Sequence, residues 1–307
     1  MNGIVSSQGV PQTYLRISVT DRCNLRCGYC MPPGGRPLVG HADLLTYEEL
    51  VRVAGILAGM GIRKVRVTGG EPLVRRDVCA LLSGISAVEG VGELCITTNG
   101  TRLAALAPKI RDAGVSRVNV SLDSLRPDRY SALTGADLLD AVVAGLEAAA
   151  RAGFVRVKLN TVLLRGVNDD EAPDFVRFSA RMGFVQRFIE LMPFRMPVGT
   201  GVPEREVREA LSAAGIDSAH VEYISQVSRP FCDSCGRLRI DARGRLKTCL
   251  LSHRSLDVRS MLRGGADDRS MAAEMRAFGA TGEKKLAVGV ERFEAQACGV
   301  AMSEIGG

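Results

Sequence analysis

No apolar run in this 307-residue chain approaches the ~18 residues that a helix needs to cross a bilayer, which excludes a helical membrane span. The stretch before Tyr14 has no basic start leading into an apolar core, so no signal peptide is expected, and a reducing cytoplasm is the expected location. No sequence repeat of ~20–50 residues and no low-complexity segment is visible, which argues against a solenoid. Nine cysteines would be few for a secreted disulfide scaffold of this size, and six of them fall in two triplets, which suggests metal. Charge of one sign is also scarce in excess: 40 basic against 34 acidic residues leave +6, which says little about partners. The hydrophobic share of 46% suffices for a full core, and the length suits one large α/β barrel domain or two smaller ones.

A strand-then-helix unit recurs along the first two thirds of the chain. Tyr14 to Val19 reads as a strand. Thr46 reads as an N-cap with Glu49 three residues on, opening a helix that runs through Met60 and is closed by Gly61. Further strands are expected at 64–68, 94–98, 117–121, 155–162 and 185–192, with helices at about 77–85, up to 113, 138–152 and 170–182 between them. Six such units with short links imply right-handed crossovers and a parallel sheet. The expected fold class is therefore α/β, a partial (β/α)6 TIM-like barrel over residues 1–195, with its active site at the carboxyl ends of the strands. Pro193, Pro197 and Pro203 mark a linker into a C-terminal iron–sulfur region, 196–307, with helices expected at 204–214 and 269–278.

The chemistry concentrates in a few groups. Cys23, Cys27 and Cys30 are spaced C-x3-C-x2-C directly after the first strand, with Tyr29 before the third cysteine. Three thiolates on one loop can hold three irons of a [4Fe-4S] cluster and leave the fourth open to chelate S-adenosylmethionine. A zinc knuckle or a disulfide with a spare thiol is the bland alternative, although structural zinc sites usually begin from C-x2-C pairs. Gly69-Gly70-Glu71-Pro72 ends the second strand, where small residues admit a ligand and the carboxylate suits an ammonium. Cys232, Cys235 and Cys249 form a second triplet. It reads as a second cluster with an open iron, or as zinc if His253 supplies a fourth ligand. Seven basic residues against two acids between Arg229 and Arg254 favour an anionic ligand beside it. Arg16, Arg66 and Lys158 lie on strands that should avoid charge on a buried face, so they are expected to point into the barrel lumen or its mouth. Cys79, Cys95 and Cys298 are taken as small buried hydrophobes.

The first triplet resembles the radical S-adenosylmethionine superfamily. With the GGEP turn, Thr97-Thr98-Asn99-Gly100, the run Thr161 to Asp169, Arg187 to Pro193, Phe231 to Arg239 and the terminal Met302 to Gly307, the chain is similar over nearly its whole length to the GTP 3′,8-cyclase family of molybdenum cofactor biosynthesis. That resemblance implies an enzyme with two [4Fe-4S] clusters and S-adenosylmethionine, which converts GTP to 3′,8-cyclo-7,8-dihydro-GTP. A 5′-deoxyadenosyl radical would take the hydrogen at ribose C3′, and the C3′ radical would attack C8 of guanine. Implied cofactor contacts are Tyr29, Gly69, Gly70, Glu71, Ser121 and Met192. Implied substrate contacts are Arg16, Arg66, Thr97, Lys158, Arg237, Leu238 and Arg239, the open iron of the second cluster holding the guanine. Arg16, Lys158, Arg237, Arg239, Gly306 and Gly307 form the implied catalytic set, the terminal Gly-Gly reaching the active site. Implied partners are a cyclic pyranopterin monophosphate synthase downstream and an electron donor such as flavodoxin or ferredoxin, with a homodimer as an option and no membrane contact. Three features depart from the family pattern: Gly236 where Asn is usual, a short connection from Ile216 to Phe231, and Val300-Ala301 where an Arg is common. They leave open a paralog acting on another purine nucleotide. A radical peptide or RNA modifier, and a metal-bound nucleic-acid module without catalysis, are the other readings.

Overall fold

A computed structural model describes residues 3–32, 34–35, 37–192, 199–252 and 254–281. Six parallel strands form its centre: β1 (Tyr14–Ser18), β2 (Lys64–Thr68), β3 (Glu93–Thr98), β4 (Arg117–Ser121), β5 (Arg156–Val162) and β6 (Val185–Ile189). Between them run helices α1 (Tyr47–Gly59), α2 (Val78–Ser86), α3 (Leu103–Asp112), α4 (Pro127–Thr134), α5 (Leu139–Arg151) and α6 (Ala172–Arg181). The C-terminal segment adds α7 (Glu204–Ala213), β7 (Glu222–Ile224), β8 (Arg237–Ile240), β9 (Arg245–Lys247), β10 (Leu256–Asp257), α8 (Val258–Arg263) and α9 (Asp268–Ala280). Among the described residues no helix is long and apolar enough to cross a membrane.

The α/β class and the parallel six-strand arrangement hold as expected, and the later residues extend the same sheet at both edges. β7 pairs parallel with β6, while β8 pairs parallel with β1 and carries β9 and β10 antiparallel beyond it. The strand order is β10-β9-β8-β1-β2-β3-β4-β5-β6-β7, a sheet whose two edges do not pair among the described residues, and so a partial barrel. The boundary expected near 195/196 falls between neighbouring strands of one sheet.

Local sequence explains the elements. Thr46 and Glu49 form the reciprocal capping box at the start of α1, and Gly61 sits at φ 100°, a conformation that favours glycine. β1, β2 and β4 alternate, with Leu15, Ile17, Val65, Val67, Val118 and Val120 fully buried and joined in one core cluster with the helices, whereas β5 and β6 place Thr161 and Gln186 on the core face. A sheet with helices on both faces would read as continuous apolar runs. Here the intervening residues are Tyr, Arg, Lys, Thr, Asn and Ser, so the helices cover one face and the other lines a polar lumen. Two short helices, α4 and α8, and the two- to four-residue strands β7 to β10 were not anticipated, because such short pieces carry too few periods to read. β6 ends at Ile189, so Met192 lies three residues beyond the strand it was expected to finish.

Candidate active site

The lumenal face is built from the residues that alternate with the core. In register across β8, β1 and β2 stand Arg239, Arg16 and Arg66, with Arg237 opposite Tyr14 one pleat below. Arg66 Nε donates to the Tyr14 hydroxyl at 2.6 Å, and its Nη1 donates to Thr97 Oγ1 at 3.3 Å. Burial, reinforced by neighbouring guanidinium groups, pushes Arg16 down to about 9 and Arg239 down to about 10. Burial is the larger cause of both shifts and the neighbouring guanidinium groups add to it, so an anion beside them would favour the charged forms. Further round, Lys158 Nζ and Arg187 converge on Glu222, the lysine at 2.6 Å from both carboxylate oxygens. Leu238 is fully buried in the apolar core on the opposite face of β8 from Arg237 and Arg239. Its side chain therefore cannot reach a lumenal substrate, and only its main chain is left for the role expected of it.

The first triplet sits at the carboxyl end of β1. Its loop is tied to three neighbours. Gly70 and Glu71 N–H donate to Thr20 O at 2.7 Å and Arg22 O at 2.8 Å, and Arg26 N–H donates to Thr134 O at the end of α4 at 2.7 Å. A Cβ on Gly69 would lie 2.7 Å from Thr20 O, and one on Gly70 would lie 2.7 Å from the Arg22 carbonyl carbon. The two glycines thus admit the cysteine loop on the side that a Cβ would take. Glu71 is likewise occupied: its buried carboxylate accepts from Leu73 N at 2.9 Å, Thr98 Oγ1 at 2.7 Å and Asn99 N at 2.6 Å. Burial pushes this carboxyl up to about 7 despite those bonds. The Tyr29 hydroxyl donates to Asp123 Oδ2 at 2.5 Å, which links the loop to the end of β4. Burial raises Asp123 to about 6 and the Cys23 and Cys27 thiols above their usual range.

The second triplet lies at the other end of the lumen. Cys232 and Cys235 precede β8, whose first residue pairs with the first residue of β1, whereas the first triplet follows the end of β1. The five residues of β1, about 16 Å at ~3.3 Å each, separate the two ends. Cys232, Cys235 and Cys249 line one solvent-open pocket together with Arg237, Arg239, Phe231 and Gln226. The Arg237 guanidinium stacks 4.7 Å from the Phe231 ring centre. Gly236 has a local cause: a Cβ there would lie 2.6 Å from Pro11 O, and its own carbonyl accepts from Thr13 and Tyr14 N–H at 3.1 Å.

The donor set fits iron–sulfur clusters at both places. None of the six triplet cysteines is in a disulfide, each group supplies three sulfurs, and the raised thiols at the first need a metal's charge to persist as thiolates. A single zinc would draw its ligands to ~2.0–2.3 Å. Among the described residues no group of three or more Cys, His, Asp or Glu is drawn in round a single ion, which bears equally on zinc and on iron. His253, Gly306 and Gly307 lie outside the described residues, as do Cys298, Val300 and Ala301. Ser121 ends β4 on the lumenal side opposite Asn160, whose buried Oδ1 has no hydrogen-bond partner among the described residues. An orphaned acceptor at the cofactor end suits a ligand donor. Met192 is buried beyond β6. Sequence reasoning missed Asn160, Asp123, Asn99 and Glu222. Alternation places Asn160 and Glu222 on the lumenal face, and Asn99 sits inside a motif already noticed.

Comparison with known proteins agrees with this arrangement. Residues 17–179 match the radical SAM superfamily and residues 201–287 match Molybdenum Cofactor Synthesis C. The chain is 42% identical to the GTP 3′,8-cyclase of Moorella thermoacetica, covering 85% of this chain and 88% of the relative. It is 39% identical to that of Geobacter sulfurreducens over 99% of both. Molybdenum cofactor biosynthesis protein 1 of Bos taurus is 38% identical over 92% of this chain and 48% of its own length. Among solved structures, Streptococcus suis SuiB bound to S-adenosylmethionine superposes with a TM-score of 0.63 at 14% identity, covering 88% of this chain and 67% of that one, a likeness of fold.

Proposed function

This chain belongs to the GTP 3′,8-cyclase family of the radical SAM superfamily, and from that premise we propose that it converts GTP to 3′,8-cyclo-7,8-dihydro-GTP in molybdenum cofactor biosynthesis. The observation that carries the reading is one basic lumen with a three-cysteine group at each end. Cys23, Cys27 and Cys30 hold one [4Fe-4S] cluster, and Cys232, Cys235 and Cys249 hold the other. When bound, the first cluster and S-adenosylmethionine supply the 5′-deoxyadenosyl radical that takes hydrogen from ribose C3′.

The protein's own residues position and neutralise. Tyr29 and Asp123, with the Gly69-Gly70-Glu71 main chain, fix the cysteine loop, so this motif serves the cofactor chiefly by shaping the loop that holds it. Ser121, Asn160 and Met192 line the cofactor side of the lumen. Arg16, Arg66, Thr97, Lys158, Arg237 and Arg239 take the nucleotide, the guanidinium forks matching phosphate oxygens. The guanine lies toward the second triplet, and the terminal Gly306 and Gly307 close on the substrate. A reduced flavodoxin or ferredoxin supplies the electron in the cytoplasm, and a cyclic pyranopterin monophosphate synthase consumes the product; a homodimer is compatible with these roles. The test is anaerobic reconstitution with dithionite, S-adenosylmethionine and GTP. Deoxyadenosine is expected only when GTP is present, and its formation at the same rate without GTP would contradict the reading.

A further inference from the structure

Lys158, expected to take the substrate, already has an anion on it. The Glu222 carboxylate on edge strand β7 reaches across two strands of the lumenal face. Both of its oxygens lie 2.6 Å from Lys158 Nζ, and Oε2 also accepts from Arg187 Nε at 2.9 Å and Nη2 at 2.5 Å. Arg156 Nη2 stands farther off at 3.9 Å. These are two-point contacts of the kind a phosphate makes with the same cations. The Glu222 side chain is one-third exposed, whereas Lys158 and Arg187 are 12% and 15% exposed, so the acid is the most solvent-accessible of the three. β7 is only three residues long and bonds to a single neighbour, β6, so the acid stands on the lightly held edge of the sheet.

We propose that Glu222 is a resident stand-in for a substrate phosphate: its carboxylate fills the anion seat of Lys158 and Arg187 and is displaced from it by the polyphosphate. The inference rests on the reading of Lys158 as a substrate contact. With the seat filled, three cations and one acid leave a local charge of +2, and an entering phosphate has to exchange places with a group of its own sign. Partial burial works against ionisation of Glu222, but hydrogen bonds from Lys158 and Arg187 outweigh it and hold the carboxyl at about 2, so the stand-in stays charged at any working pH. Exchange is possible because a one-third-exposed carboxylate can turn into solvent and recover its hydration. Glu222 then acts on specificity: it weakens binding of every ligand that needs the seat, and it favours those with enough phosphate charge to displace it.

The experiment is equilibrium binding of GTP, GDP and GMP to the anaerobic holoprotein, wild type against E222Q and E222D. E222Q is expected to bind GTP about tenfold more tightly, GDP less so and GMP nearly unchanged, whereas E222D, which keeps the charge, stays near wild type. If Glu222 instead holds Lys158 and Arg187 in place, E222Q binds all three nucleotides more weakly and melts earlier, and the proposal is overturned. Equal GTP affinity in the two proteins overturns it as well. Should wild type and variant both ignore guanine nucleotides, the substrate reading fails instead, and inorganic tripolyphosphate reads the seat alone: tighter in E222Q if the inference holds, unchanged or weaker if it does not.

Discussion

Gly70→Ala tests whether the glycine pair exists for the cysteine loop. Gly70 does not occupy the left-handed region, so alanine meets no backbone objection and only space opposes it. Its Cβ would stand 2.7 Å from the Arg22 carbonyl carbon and 2.8 Å from Asp21 O, both main-chain atoms, where ordinary contact begins at 3.4 Å. Arg22 O stands nearer still, so the loop must yield by more than about 0.7 Å one residue before Cys23. Overpacking of this kind costs about 1–3 kcal/mol, and metal ligands tolerate only about 0.2 Å. The first cluster should fail to assemble while the second, at the other end of the lumen, forms. Iron and sulfide per chain should fall from about eight to about four, with deoxyadenosine production lost. Gly28→Ala is the control within the loop itself, since nothing lies within 4 Å of its Cβ, and it should keep its iron. A Gly70→Ala protein with a full iron complement and an unchanged melting temperature would refute the reasoning.

Other expectations follow from the same geometry. Cys27→Ala should abolish deoxyadenosine formation altogether, read by chromatography after anaerobic turnover. Tyr29→Phe removes the donor to buried Asp123 and should destabilise the chain by about 1–3 kcal/mol, measured by urea unfolding; no change would deny the clamp. Because burial raises the Glu71 carboxyl from 4.5 to about 7, the native state holds an extra proton between those values. Stability should then be greatest below pH ~5 and fall as pH rises toward ~7, by up to about 3 kcal/mol. Glu71→Gln should flatten that slope in melting temperature against pH. Deleting Gly306 and Gly307 should spare cofactor cleavage and stop cyclisation, and normal cyclisation by the truncated protein would remove the tail from the site.

The parallel sheet was legible because β1, β2 and β4 obey period 2 and the strand-then-helix unit recurs. The same alternation that places Leu15 and Ile17 in the core leaves Arg16 for the lumen, and this is why charged residues inside strands pointed to function. The cysteine spacings marked both metal ends without any fold. What sequence could not supply was pairing. Nothing in the order of residues says that β8 lies beside β1, which sets the second triplet at the opposite end from the first, or that Glu222 lies across from Lys158. The side chain of Leu238 faces the core because its motif runs along a strand, and alternate residues of a strand face opposite ways. In the GGEP motif small residues admit any close neighbour, and only coordinates show that Thr20 to Arg22 pack against its glycines.

The most direct measurement uses GTP deuterated at ribose C3′ with the anaerobically reconstituted protein, dithionite and S-adenosylmethionine. The account predicts deuterium in the 5′-deoxyadenosine and one cyclised nucleotide for each deoxyadenosine formed. Deoxyadenosine free of deuterium, with the GTP recovered intact, would contradict it.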